Sequence, residues 1–266
     1  MTIRLVVLDL DGTLLDPDHR ISAANAAAVA ACRANGVRVV LATGRMVVSA
    51  APYANALGLD TPLITLNGAT LARAGQAQVT VRNCLAPVDL ALVLDTLAER
   101  AIPYVIFGPD AIYAEPQIAR HHIELLESYG DPPAQRYDRA ALRDLPEPIK
   151  VLTFLEPGGY DRELNGLLAQ RVEVVRSGAP FLEFLPLGVS KGAAVAELMQ
   201  QWDLARDEVL VIGDGENDLS MFAVAGISVA MQDAPNVVHA AATHRTGSSG
   251  NNGVATALRR FVLGGL

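Results

Sequence analysis

Short apolar runs that alternate with helical segments at both ends of the chain constrain its fold more than any other feature. The first run, Ile3 to Leu8, is nearly continuous Val and Leu, as in a strand covered on both faces in a parallel sheet. Ser22 can cap an Ala-rich helix that stops at Gly36, and a second buried strand is predicted from Val37 to Ala42. This alternation predicts an α/β fold with a doubly wound, Rossmann-like parallel-sheet core.

The alternation is interrupted in the middle of the chain. A helix followed by two strands occurs twice between residues 84 and 186, which is an α+β pattern unlike its flanks. The first pattern resumes with a helix from Ser190 and with strands at Val209 to Ile212 and Ile227 to Ala230. We therefore predict a discontinuous core of residues 1–83 and 187–266, interrupted by an inserted α+β domain at residues 84–186.

Composition excludes several classes of protein. Of 266 residues, 51% are hydrophobic and 19% charged, which is typical of a globular protein with a substantial core. A net charge of -8 repels a phosphate backbone, so no nucleic-acid partner is expected. Two cysteines provide neither a disulfide framework nor a zinc site, and no signal peptide or membrane span is predicted. We expect a cytoplasmic protein, and the sequence leaves its oligomeric state open.

Polar clusters follow three of the predicted core strands. They are Asp9-Leu-Asp-Gly-Thr13, Thr43-Gly-Arg45 and Gly213-Asp-Gly-Glu-Asn-Asp218. Because the carboxyl ends of parallel strands form the ligand-binding edge of a sheet, these clusters are expected to meet. Two carboxylates ~4 Å apart repel by about 4 kcal/mol at an effective dielectric constant of about 20, so a cation must offset the charge. Oxygen ligands without His or Cys favour Mg²⁺.

Lysine usage indicates the same place. Lys150 and Lys191 are the only lysines among 21 basic residues, and Lys191 stands at a predicted helix start. A compact ammonium suits contact with an aspartate and a transferring phosphoryl group. The alternative is a solvated lysine at a helix terminus.

Taken together, these motifs resemble those of the haloacid dehalogenase-like phosphotransferases. The matching residues, in order, are Asp9 to Thr13, Thr43 after an apolar strand, Lys191, and Gly213-Asp214 with Asp218. Further segments resemble the Cof-type phosphatase branch, which carries a large type IIB cap between the second and third motifs; they are Leu41 to Arg45, Asn67 to Ala69, Gly188 to Gly192, Gly213 to Met221 and Gly253 to Ala255. The chain departs from that branch at Met231-Gln-Asp233 and Ser248 to Asn252.

The resemblance implies a mechanism. Asp9 is expected to attack phosphorus and form an aspartyl phosphate, and Asp11 to act first as acid and then as base. Lys191 is expected to contact the reacting groups. Mg²⁺ would be held by the Asp9 carboxylate, the Asp11 main-chain carbonyl and Asp214, with Asp218 orienting a metal-bound water or Lys191. The expected phosphate-binding groups are Leu10, Thr43, Gly44, Lys191 and Asn217, with Arg45 a weaker candidate.

The predicted function is a magnesium-dependent phosphatase acting on small phosphorylated metabolites, with sugar phosphates first and pyridoxal or nucleotide phosphates second. A phosphomutase would share every motif. A phospho-accepting signalling module also pairs a phosphorylated Asp with Mg²⁺ on a parallel sheet. Three features argue against that alternative: the second Asp at position 11, the pair Asp214 and Asp218, and the cap.

Overall fold

A computed structural model describes residues 2–73, 79–155 and 159–264. The strands are β1 (Leu5–Leu8), β2 (Arg38–Leu41), β3 (Pro62–Thr65), β4 (Thr70–Arg73), β5 (Val79–Val81), β6 (Tyr104–Phe107), β7 (Ile112–Ala114), β8 (Gln135–Arg136), β9 (Lys150–Phe154), β10 (Val172–Gly178), β11 (Phe181–Pro186), β12 (Val209–Gly213), β13 (Ile227–Ala230) and β14 (His244–Arg245). The helices are α1 (Ala23–Ala34), α2 (Val47–Ala56), α3 (Pro87–Glu99), α4 (Arg120–Ser128), α5 (Arg139–Arg143), α6 (Asp161–Leu168), α7 (Lys191–Gln201), α8 (Leu219–Val224), α9 (Asn236–Ala241) and α10 (Gly253–Phe261).

A five-stranded parallel sheet in the order β14-β13-β12-β1-β2 forms the centre of the fold. Leu8 at the end of β1 is level with Ile212 on β12 and with Leu41 on β2. The three loops that follow these strands therefore leave the same edge of the sheet. The α/β fold class predicted from the sequence is confirmed, and the ligand-binding edge lies where such sheets place it.

Alternating side chains of β1 enter two apolar clusters, one on each face of the sheet. Val6 and Leu8 pack with residues of α1 and α10 on one face, and Leu5 and Val7 pack with residues of α7 and α8 on the other. Each fully buried Val or Leu stabilises the fold by about 1.5–3 kcal/mol. A strand buried on both faces needs no polar positions, which explains the unbroken apolar run.

The start of α1 follows the predicted capping pattern. The Ser22 hydroxyl accepts a hydrogen bond from the Asn25 amide at 3.1 Å. Gly36, with φ +77°, lies just past the helix end in the left-handed region that favours glycine. Both ends of α1 are therefore fixed by local sequence.

A second, six-stranded sheet has the order β10-β11-β9-β6-β7-β8 and is antiparallel except for the β7–β8 pair. Helices α3, α5 and α6 pack on one of its faces through a cluster that includes Leu90, Leu142 and Leu164. The other face contributes side chains to a cavity at the edge of the parallel sheet. Treating residues 84–186 as a separate inserted domain stays a prediction.

Several elements differ from the sequence prediction. The sequence predicts a strand from Leu63 to Leu66 that continues the parallel alternation. The observed strand β3 instead pairs antiparallel with β4 and is joined to the parallel sheet by a bridge between Ala42 and Ile64. The chain reverses directly after β3 in a turn at residues 66–68, so no crossover helix can follow.

The sequence predicts a proline-rich connector after α4, containing Asp131-Pro-Pro133 and Pro146 to Pro148, but this stretch also contains regular structure. It includes β8 and α5, whose first turn is capped because Asp138 accepts a hydrogen bond from the Ala141 amide at 2.9 Å. The sequence also predicts a helix from Pro116 to Tyr129, but the helix starts only at Arg120, after a turn in which the Ile118 amide donates to the Glu115 carbonyl. These elements are short, and apolar periodicity is not resolved over so few residues. In the described part of the chain, no helix has the length and apolar character needed to cross a membrane.

Candidate active site

The functional side chains lie at the carboxyl edge of the parallel sheet. Asp9 follows β1 directly, and its amide donates to the Ile212 carbonyl at 3.1 Å, which extends the strand pairing by one residue. Asp214 follows β12 and Thr43 follows β2 closely. Gly12 has φ +73°, and a Cβ at this position would overlap the Asp214 carboxylate. The turn after β1 therefore requires glycine to bring Asp9 and Asp214 together.

Lys191 connects two of these carboxylates. Its ammonium donates to Asp9 Oδ1 and to Asp218 Oδ1, both at 2.6 Å, and its side chain is fully buried. The second oxygen of Asp218 accepts hydrogen bonds from the amides of Asp214 and Gly215, each at 2.9 Å. Asp218 thus fixes both the ammonium and the loop that carries Asp214.

The charges of this group do not balance. Burial raises the pKa of Asp9 well above its ordinary value; Lys191 opposes the shift, and the Asp218 and Asp214 carboxylates add to it. Burial and Asp218 raise the pKa of Asp214 to about 6. Burial alone would lower the pKa of Lys191, but Asp218 and Asp9 override it and raise that pKa. One ammonium among three carboxylates, two of them buried and the third, Asp214, half-buried, leaves an excess of negative charge, which a further cation would stabilise.

The donor atoms fit a hard cation. Asp9, Asp214 and Asp218 each offer a carboxylate oxygen, and these oxygens lie within 4.8 Å of one another. Both oxygens of Asp218 already accept hydrogen bonds, so Asp9 and Asp214 are the better direct ligands. An all-oxygen set of this kind suits Mg²⁺. Together with the predicted main-chain carbonyl of Asp11, these residues could hold the ion.

Asp11 makes a two-point contact with Arg45. Arg45 Nε donates to Asp11 Oδ2 at 2.8 Å and Nη2 donates to Oδ1 at 2.5 Å. Nη1 of the same guanidinium donates to the Tyr129 carbonyl at 2.7 Å. Burial alone would lower the pKa of Arg45, but the pairing with Asp11 overrides it and raises that pKa. Arg45, a weaker candidate for phosphate from the sequence, thus has Asp11 as its partner, and an acid role for Asp11 requires this pair to loosen.

Three predicted phosphate-binding residues line the cavity beside Asp9: Thr43, Gly44 and Asn217. The Thr43 hydroxyl accepts a hydrogen bond from the Arg45 amide at 3.1 Å, which leaves its own hydrogen available to a phosphoryl oxygen. The Asn217 amide group donates to Asn67 Oδ1 at 3.0 Å. These groups are therefore held in place by the protein before any substrate is bound.

Other predicted residues lie further back. The Leu10 side chain is buried in the core, so only its main-chain amide could reach a phosphate. Lys191 and Asp218 lie behind Asp9 and contact it or each other rather than forming the cavity wall. Lys191 can thus act on the reacting group through Asp9.

The cavity has a volume of about 230 Å³ and lies between the parallel sheet and the six-stranded sheet. We call its parallel-sheet side, with the buried residues behind it, the floor: Asp9, Asp11, Thr43, Gly44, Lys191, Asp214, Asn217 and Asp218. We call the opposite side the roof; its residues are Phe107, Leu126, Tyr129, Asp131, Lys150, Leu152, Ser177, Phe181 and Glu183. The sequence predicted the floor, and it did not identify the roof.

An ion pair at the centre of the roof is tied to the floor. Lys150 donates to Glu183 Oε2 at 3.0 Å, and both side chains are only 2% exposed. Lys150 also donates to the Gly44 carbonyl at 2.9 Å. Glu183 accepts hydrogen bonds from Ser177 at 2.6 Å and from Asn67 at 2.7 Å. The roof thus holds the loop that follows β2 in position through the main chain of Gly44.

One signal in the sequence could have identified this pair. The scarcity of lysine applies to Lys150 as much as to Lys191. A chain that uses Arg at nearly every basic position retains Lys at two sites, and the structure buries both next to the cavity. No comparable signal marked Glu183 or Asp131.

Comparisons with known proteins agree with the geometry. The chain is 31% identical to the phosphatase-named protein YxeH of Bacillus subtilis strain 168, over 98% of each chain. It is 26% identical to the 5-amino-6-(5-phospho-D-ribitylamino)uracil phosphatase YcsE of the same organism, over 98% of this chain and 96% of that one. A solved structure described as the HAD subclass IIB sugar phosphatase BT4131 shares the fold with a TM-score of 0.86 at 22% identity, covering 97% of this chain and 98% of that one.

The sequence profile of one family matches nearly the whole chain. It is described as haloacid dehalogenase-like hydrolase, and the match runs over residues 6–258. It spans every motif on which the sequence resemblance rested. That resemblance is confirmed, and the chain belongs to the haloacid dehalogenase-like hydrolase family.

Proposed function

We propose that this protein is a Mg²⁺-dependent phosphatase that hydrolyses small phosphorylated metabolites, sugar phosphates first, through an aspartyl phosphate on Asp9. The observation that carries the proposal is the buried Asp9, fixed by Lys191 and facing Asp214 at the base of the cavity between the two sheets. Phosphatase chemistry is supported by the family and by the names of the relatives.

The floor residues supply the steps of such a reaction. The Asp9 carboxylate would attack phosphorus as the bond to the leaving oxygen breaks, while Lys191 holds the carboxylate in place. Asp11, released from Arg45, would give its proton to the leaving alcohol and then take a proton from the water that cleaves the acyl phosphate. Asp9 is thereby restored and inorganic phosphate leaves. Mg²⁺ at Asp9, Asp214 and the Asp11 carbonyl would neutralise the charge of the phosphoryl oxygens.

The size of the cavity favours a small substrate. A cavity of about 230 Å³ beneath the roof matches the size of a hexose-sized leaving group rather than that of a phosphopeptide or a nucleic acid strand. The relative YcsE is named for a substrate whose phosphate sits on a ribityl chain, which is consistent with a polyhydroxylated leaving group. We place sugar phosphates first and pyridoxal or nucleotide phosphates second.

A panel of phosphorylated metabolites tests the proposal. Phosphate release would be measured with Mg²⁺, with a chelator, and with the Asp9→Asn variant as a control. We expect continuous release that needs both Mg²⁺ and Asp9. Transfer of the phosphoryl group to another position of the same molecule, without release, would indicate a phosphomutase. Labelling of one site per chain without turnover would indicate a signalling module.

A further inference from the structure

One acidic side chain of the roof, Asp131, has no ion-pair partner among the described residues. Arg45 is paired with Asp11, and Lys150 is paired with Glu183. Asp131 also lines the cavity, but it forms no ion pair with the described residues. Beyond the residues proposed to hold Mg²⁺ and phosphate, the lining of the cavity therefore carries one uncompensated carboxyl group.

Asp131 is held with one oxygen fixed and the other available. It follows α4 and the Tyr129 residue that contacts Arg45. The buried Ser49 hydroxyl donates to Asp131 Oδ1 at 2.7 Å. Its Oδ2 has no hydrogen-bond partner within residues 2–73, 79–155 and 159–264. Burial raises the pKa of Asp131, and neither the Ser49 hydrogen bond nor the charges of Lys150 and Arg45 reverse this shift.

We propose that Asp131 determines leaving-group specificity by binding a hydroxyl or ammonium group of the substrate and rejecting leaving groups that carry a carboxylate or a second phosphate. This inference rests on the proposed phosphatase function. A carboxyl oxygen with no partner in a partly apolar cavity is most stable when it accepts a hydrogen bond. The apolar roof residues Phe107, Leu152 and Phe181 strengthen that preference because they exclude water.

The charge of the roof lysine is already neutralised by Glu183. Lys150 is bonded to Glu183 and to the Gly44 carbonyl, so turning toward a substrate carboxylate would leave Glu183 buried and unpaired. Arg45 is likewise bound to Asp11 and to the Tyr129 carbonyl. An acidic leaving group would therefore meet the charge of Asp131 without a compensating cation.

Two matched pairs of substrates test this specificity. Sorbitol 6-phosphate and 6-phosphogluconate are both open chains that differ at the terminal carbon, which carries a hydroxyl in one and a carboxylate in the other. Glucosamine 6-phosphate and glucose 6-phosphate differ by an ammonium in place of a hydroxyl. For the wild-type enzyme with Mg²⁺, we expect kcat/KM for sorbitol 6-phosphate to exceed that for 6-phosphogluconate by about tenfold or more. Glucosamine 6-phosphate should be at least as good as glucose 6-phosphate.

The Asp131→Asn variant assigns the preference to one residue. Its amide oxygen can still accept the Ser49 hydrogen bond, so the local structure should be retained. We expect the preference against 6-phosphogluconate to fall by about tenfold and any preference for the ammonium to disappear. The control is Asp110→Asn, which makes the same charge change at an exposed turn of the same sheet and should leave both ratios unchanged.

Contrary outcomes separate this inference from the function on which it rests. A wild-type preference for 6-phosphogluconate over sorbitol 6-phosphate would overturn the inference without any variant. The same holds if Asp131→Asn changes both ratios by less than about twofold. Absence of turnover with all four phosphate esters and with every member of the metabolite panel would instead overturn the proposed phosphatase function, and this inference with it.

Discussion

The floor and the roof of the cavity use the same kinds of side chain, but they differ in how the chain brings those side chains together. Asp9 and Asp214 follow parallel strands directly, so strand register alone places them at one edge. Lys150, Glu183 and Asp131 come from two antiparallel strands and a loop after a helix. Their approach depends on how the six-stranded sheet packs above the parallel sheet. Strand direction and register are therefore enough to place the floor residues, whereas the contacts in the roof depend on tertiary packing.

Electrostatics separates the two sides as well. The floor gathers three carboxylates around one ammonium, which leaves an excess of negative charge. In the roof, the Lys150 and Glu183 charges cancel. Changes on the floor should therefore affect the rate of the chemical step, whereas changes in the roof should affect stability and substrate preference.

The largest effect is expected for the nucleophile on the floor. Asp9→Asn is nearly isosteric but its neutral amide cannot attack phosphorus, so kcat should fall by at least about 10⁴-fold. Turnover of an aryl phosphate with Mg²⁺ measures this loss, and circular dichroism checks that the variant is folded. Asp110→Asn, the same substitution at an exposed position, should turn over like the wild type. Near-native turnover by Asp9→Asn would rule out the assignment.

A smaller effect that depends on the substrate is expected at Asp11. If this residue protonates the leaving oxygen, Asp11→Asn should slow alkyl phosphates by about 10²–10⁴-fold and aryl phosphates by less, because a good leaving group needs no proton. The measurement is kcat/KM over a series of leaving groups of rising pKa. Equal losses on aryl and alkyl phosphates would contradict the acid role.

Substitution of each of the two lysines compares the role of the floor with that of the roof. Lys191→Met should lower kcat by about 10²–10³-fold, because the ammonium that fixes Asp9 is lost. Lys150→Met should keep kcat within about tenfold but cost about 3–5 kcal/mol of unfolding free energy, because Glu183 is left buried and unpaired. Steady-state kinetics and denaturant unfolding measure both quantities.

The double variant Lys150→Met with Glu183→Gln is the matched control for the roof, because it also removes the unpaired charge. It should recover part of the lost stability. If Lys150→Met reduced kcat more than Lys191→Met, the division of roles between floor and roof would be wrong.

The smallest effect is a pH dependence of stability. The pKa of Asp214 rises from 3.8 to about 6 on folding, mainly through burial and then through Asp218. Without Mg²⁺, the folded protein binds more protons than the unfolded chain between these values, so stability should fall as pH rises through that window. Binding of Mg²⁺ should offset this loss of stability at higher pH.

Thermal unfolding with and without Mg²⁺ measures that effect. The increase in Tm caused by Mg²⁺ should be several degrees larger at about pH 7.5 than at about pH 5. Asp214→Asn should lose this difference. An equal increase in Tm at both pH values would show that Mg²⁺ binding does not depend on the Asp214 carboxylate.

The sequence predicts the parts of the molecule that depend on local pattern. The apolar strands, the Ser22 cap, the order of the clusters and the proximity of Asp9 to Asp214 all follow from periodicity and strand direction. Contacts between side chains from distant positions in the chain cannot be predicted from these local patterns. Arg45 was only a weaker candidate for binding phosphate, and its pairing with Asp11 was not predicted, because it arises where the turns after β1 and β2 bring the two side chains together. Asp131 lay in a stretch interpreted as a connector, where no periodicity marks which residue faces a cavity.

The central claim is that the reaction passes through a phosphorylated Asp9. In the Asp11→Asn variant, an aryl phosphate should still phosphorylate Asp9, while hydrolysis of the acyl phosphate is slowed because its base is missing. Acid quenching followed by mass spectrometry of the peptides should then locate close to one phosphate per chain on Asp9. Steady release of the aryl alcohol with no phosphate on Asp9, or with phosphate on another residue, would contradict the account.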